Sequence, residues 1–86
     1  MDTKQRQRIA DVICEEWNVP DNPPRCLESN TLHERLTRYG EQVSNVALLS
    51  FLDELAEADL IEQSEYIGSR RIEAVSLLLC EQPLNY

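Results

Sequence analysis

Residues 43–62, V-S-N-V-A-L-L-S-F-L-D-E-L-A-E-A-D-L-I-E, decide the fold. The Ser44 hydroxyl is placed to accept a hydrogen bond from a first-turn amide, which marks a helix start. Leu48, Leu52 and Leu55 then recur three and four residues apart with Phe51 on the flank, so one helical face is apolar and requires burial. The periodicity lapses at Asp59, so the helix is expected to stop near Ala58. Leu60 and Ile61 open a segment suited to a strand.

Upstream, Thr31-Leu32-His33-Glu34 offers a capping box for a second helix, in which Glu34 reaches back to the cap amide. Leu32, Leu36 and Tyr39 fall on its inner side, while His33, Arg35 and Arg38 fall outside. Gly40 stops it, and the turn Gly40–Val43 leads into Ser44 with Val43 as an apolar plug. A first helix, capped by Asp2 or Thr3, is predicted to run to about Trp17. Its stripe is Ile9, Ile13 and Trp17, widened by Ala10, Val12 and Cys14. Lys4, Arg6 and Arg8 make a small basic tip on it. Between these helices, Pro20, Pro23 and Pro24 exclude a helix and give a stiff loop, in which Arg25-Cys26-Leu27 suits a short strand with Leu27 facing inward.

Downstream, Tyr66, Ile67, Ile72 and Val75 are strand formers flanking Gly68-Ser69. Glycine at the first loop position favours a type II′ hairpin with Arg70 and Arg71 at its tip. Residues 71–80 also read as an amphipathic helix, with Ile72, Val75, Leu78 and Leu79 on one face. Pro83 ends whatever precedes it, and Leu84-Asn85-Tyr86 forms a tail.

Helix, four-residue turn, capped helix and Leu-Ile exit, followed by a hairpin, resemble a winged helix-turn-helix domain over residues 31–75. Asp59 stands where that family usually has glycine, and aspartate tolerates the left-handed conformation better than most residues. The resemblance implies one domain over residues 1–86: a mainly helical α+β fold of three helices with a two-stranded wing. The alternative is an all-α domain of four helices. In DNA-binding members, the outer face of the third helix carries groups that pair with bases and phosphates. Here the matching positions are Asn45, Val46, Ala47, Leu49, Ser50 and Asp53, an apolar patch with an acid at its rim. Alternatively, a terminal segment of the chain covers Val46 and Leu49.

Charge points the same way. The chain of 86 residues has a net charge of −8. Residues 1–43 carry 6 basic and 8 acidic groups (net −2), and residues 44–86 carry 2 and 8 (net −6). Such a balance opposes nonspecific binding to nucleic acid and to anionic membranes, and favours a basic protein partner. The three cysteines, Cys14, Cys26 and Cys80, are odd in number, widely spaced and without a C-x-x-C pair, so neither a disulfide framework nor a zinc ribbon is expected. A reducing, cytoplasmic setting follows from that reading. The polar start M-D-T-K-Q-R-Q-R precedes no apolar run long enough for a signal or membrane helix.

Motifs for chemistry are sparse. His33 is the only histidine, the two glycines serve as helix stop and turn, and Asp53, Glu54, Glu57 and Asp59 lack calcium-loop spacing. A non-enzymatic protein without metal, cofactor or small-molecule substrate is therefore expected. Three readings compete. The first is protein contact or self-association through Asn45, Val46, Ala47, Leu49, Ser50 and Asp53, as a regulator or assembly module. The second is a DNA-binding regulator using Arg35, Arg38, Arg70 and Arg71 with Asn45. The third is an acidic inhibitor, of the kind phages make against nuclease or CRISPR complexes, in which Asp53, Glu54, Glu57, Asp59, Glu62 and Glu65 stand in for phosphates.

Overall fold

A computed structural model describes residues 1–18 and 27–84. The order is α1 (Thr3–Trp17), β1 (Leu27–Glu28), α2 (Ser29–Arg38), α3 (Asn45–Glu57), β2 (Ile61–Tyr66), β3 (Ser69–Val75) and α4 (Leu77–Glu81). The strands form an antiparallel sheet ordered β1-β3-β2, so the fold is α+β. Among the described residues four helices are present rather than three, and the sheet sets aside the all-α alternative. The expected hairpin gains a third strand because Leu27 pairs with Ile72 and Glu28 with Arg71. The proline loop and the Arg25-Cys26 part of the short strand lie outside the described residues.

The core lies where the three long helices meet the sheet. Ile9 and Ile13 of α1, Leu32 and Leu36 of α2, Leu48, Phe51, Leu52 and Leu55 of α3, and Leu27, Ile61 and Ile72 of the strands form its body. Val43, Leu49 and Trp17 pack on its edge. Asp2 caps α1 by accepting from the Gln5 amide at 2.8 Å, and Ser44 caps α3 by accepting from the Ala47 amide at 3.1 Å.

Two helices end alike. Gly40 has φ 82, and the Glu41 amide donates to the Leu36 carbonyl at 2.9 Å while Gly40 donates to Thr37 at 3.0 Å. Asp59 has φ 60 with the same pair, Leu60 to Leu55 at 2.9 Å and Asp59 to Ala56 at 3.1 Å. These are Schellman ends, which use six-to-one and five-to-two hydrogen bonds to satisfy the last carbonyls. The second releases Leu60 directly into β2.

Several expectations are corrected. Helix α2 begins at Ser29, not Thr31, and has no side-chain cap, because Glu28 is still paired in β1 when the helix starts. The Ser29 hydroxyl is buried and accepts the Arg70 amide at 2.9 Å. Glu34 pairs forward with Arg38 at 3.2 Å instead of reaching back. Tyr39 is exposed. Its hydroxyl donates to Glu15 at 3.4 Å, and the Glu15 carboxylate raises the phenol above its ordinary pKa. At the hairpin, Tyr66 pairs with Ser69, so the loop is Ile67-Gly68 and the positive φ of 72 falls on its second position. That arrangement suits a type II turn rather than II′.

The strand and helix readings of residues 71–80 each hold for half the segment. Strand β3 runs to Val75, and the Ser76 hydroxyl then accepts the Leu78 amide at 3.1 Å, opening α4. Cysteine pairing is the largest correction. Cys14 of α1 and Cys80 of α4 form a disulfide across 66 residues, with Cα atoms 5.6 Å apart. Spacing along the chain was uninformative because α4 folds back onto α1. The inference to a reducing setting rested on unpaired cysteines and loses that support. Among the described residues, no helix is long and apolar enough to cross a membrane.

Candidate interaction surface

Strand alternation sorts the hairpin side chains onto two faces. Ile61, Gln63, Glu65, Arg70 and Ile72 face the helices, and Ser64, Tyr66 and Arg71 face away. A register shift between Glu62 and Gln63 bends the hairpin at its base. Arg70 and Arg71 therefore point to opposite sides of the sheet, although they are adjacent in sequence.

Arg70 fills the space between the hairpin and α3. Its Nε donates to Asp53 at 3.2 Å and its Nη2 pairs with Glu65 at 3.0 Å, with only 15% of the side chain exposed. Gln63 Nε2 donates to the same Asp53 at 2.7 Å. Asp53, Gln63, Glu65 and Arg70, with Ala56 and Glu57, line a cleft of about 350 Å³ between helix and hairpin. Asp53 is thus bound within the chain rather than offered freely to a partner.

The other positions of the α3 outer face lie toward its N-terminal half. Asn45 and Ser50 are exposed, Ala47 and Leu49 are half-buried, and Val46 is 79% exposed. Leu49 packs on the core edge, so Val46 is the apolar summit of this face. Ala47 and Ser50 border a shallow depression of about 190 Å³ beside Met1 and Glu54.

The four candidate arginines do not converge. Arg35 pairs with Glu16 at 3.7 Å, Arg38 with Glu34 at 3.2 Å, and Arg71 with Glu28 at 3.5 Å while lying 5.3 Å over the Tyr66 ring. Two of the three cations at the basic tip of α1 are also engaged: Arg6 reaches Glu54 at 2.6 Å and lies 5.4 Å over Phe51, and Arg8 pairs with Glu41, while Lys4 is exposed and makes no ion pair among the described residues. His33 Nε2 donates to the Val43 carbonyl at 2.8 Å, which fixes the turn before α3.

The six candidate acids divide into two sets. Asp53 and Glu65 share an ion pair with Arg70, and Glu54 pairs with Arg6. Glu57, Asp59 and Glu62 are exposed and form no ion pair among the described residues. They follow one another around the α3–β2 corner and make it locally acidic. Among the described residues, no group of three metal-ligating side chains is assembled.

Sequence reasoning missed two features. Ile67, at the hairpin tip, is fully exposed, and its chemistry is visible only once the register is known. Arg70 facing Glu65 was legible in principle, because the two residues stand symmetrically about the true turn. Compared with protein-family models, curated proteins and solved structures, the chain matches none.

Proposed function

We propose that the protein is a small non-enzymatic module, resembling a winged helix, that acts by protein contact through the outer face of α3. Val46 carries this reading: it stands 79% exposed on a helix against which Arg6 and Arg70 are both held by carboxylates. An exposed apolar residue beside acids suits a protein partner, whereas a phosphate backbone demands free positive charge. Arg70, which pairs with Asp53 of this helix and with Glu65, would have to break two ion pairs to reach a phosphate.

A photoreactive side chain at position 46, expressed in the protein's own cells, should give a discrete protein adduct that Leu49→Lys abolishes. An equally efficient adduct from position 73, on the far face of the hairpin, would sink the assignment. Duplex DNA should show no binding at low salt; affinity that falls steeply with salt would transfer the function to the DNA-binding reading.

Glu57, Asp59 and Glu62, which form no ion pair among the described residues, support a second reading, in which the acidic corner occupies a basic nucleic-acid channel of another protein. Charge reversal at these three positions should abolish that activity and leave the position-46 adduct intact.

A further inference from the structure

We propose that the Cys14–Cys80 disulfide is a redox latch: its reduction by a dithiol releases residues 77–84 from α1 while the helices α1–α3 and the sheet remain folded. In the exchange, one protein S–S bond breaks and two thiols form. The dithiol closes to its own disulfide, so two electrons and two protons pass to the protein.

Three observations separate this segment from the rest of the fold. Helix α4 has 5 residues, far short of the length at which a helix persists on its own, so its order comes from what holds it down. Leu79 is its single buried side chain, whereas the rest of the core cluster is supplied by α1, α2, α3 and the strands. Beyond it, the Leu84 amide donates to the Gln7 side chain of α1 at 2.8 Å, so the segment lies along that helix.

The bond sits at the one point where it matters most. Cys80 adjoins Leu79, so the crosslink keeps the anchoring leucine at its site by holding its neighbour against α1. Cys80 is exposed, which gives a reductant access to sulfur. Without the bond, the buried Leu79, the half-buried Leu84 and one hydrogen bond oppose the chain entropy of the freed segment. Leu77 and Leu78 are already 72% and 55% exposed, so opening adds Leu79 and presents three consecutive leucines.

Hydrogen exchange on the full chain carrying Cys26→Ser, oxidised and then reduced with dithiothreitol, tests this. The amides of Leu79, Gln82 and Leu84 should exchange about tenfold faster or more on reduction, while those of Leu52, Leu55 and Ile72 stay within about twofold. Cys80→Ser in the same background should show the reduced pattern without reductant. Equal acceleration throughout α3 and β3 would make the disulfide a staple of the whole fold, and no acceleration would mean that packing alone holds α4. Either result overturns the latch.

Discussion

Asp59 occupies a left-handed position at the end of α3 with φ 60, where any side chain crowds its own backbone and glycine does not. The backbone amides of Asp59 and Leu60 make both hydrogen bonds of the helix end without the aspartate side chain, so relief of that crowding needs no rearrangement. Asp59→Gly should therefore stabilise the fold by about 0.5–1 kcal/mol, read from the urea midpoint, after allowing for the freer unfolded chain. A lower midpoint would mean that the aspartate side chain itself holds the turn. Ser29 is the opposite case. Its hydroxyl is wholly buried and satisfies the Arg70 amide at 2.9 Å, so Ser29→Ala strands a donor inside the protein. The expected cost is about 1–2 kcal/mol by the same measurement, and a neutral substitution would show that water replaces the hydroxyl.

Between α3 and the hairpin, packing is supplemented by a polar clamp in which Arg70 and Gln63 both donate to Asp53. A double-mutant cycle with Asp53→Ala and Arg70→Ala should give a coupling of about 0.5–1 kcal/mol, less than a buried pair because Asp53 is 48% exposed and screened by solvent. Coupling near zero would assign the hold to the Gln63–Asp53 hydrogen bond and to packing. At this scale the sequence was most readable where periodicity and caps agree. Helices α1 and α3, with Asp2 and Ser44 before them, follow from apolar spacing and hydroxyl or carboxylate chemistry that are local along the chain. What depends on distant partners was hidden. The early start of α2 depends on β1 pairing with β3. The one-residue error at the hairpin turn decided which of Arg70 and Arg71 faces inward. A slip of one position moves every strand side chain to the other face, so the clamp could not be read without the register. Likewise Val46 stands out from helical spacing alone, but the hold of carboxylates on Arg6 and Arg70 beside its helix required the ion pairs to be seen.

At the scale of the whole molecule, ion pairs among the described residues engage six arginines, and part of the acid left outside them lies where α3 ends and β2 begins. That is an unfavourable place for it. The exposed carbonyls at the end of a helix carry partial negative charge, and the last turn of α3 contains no basic residue to offset them. Glu57 adds its own negative charge there, with Asp59 and Glu62 beyond it, and none of the three has an ion-pair partner among the described residues. Local physics therefore favours lysine at position 57. If the acidic corner serves only solubility, Glu57→Lys should be neutral in the cell; if it meets a basic partner, the same change should weaken that contact. Two measurements on one variant separate stability from function. Thermal or urea unfolding at low salt should show Glu57→Lys more stable by about 0.3–1 kcal/mol, with the gain shrinking as salt screens it. Partner capture in parallel should fall under the acidic-corner reading and stay unchanged if Val46 alone makes the contact. A destabilised variant would refute the electrostatic account of this corner, because it would require Glu57 to hold the fold through an interaction other than charge.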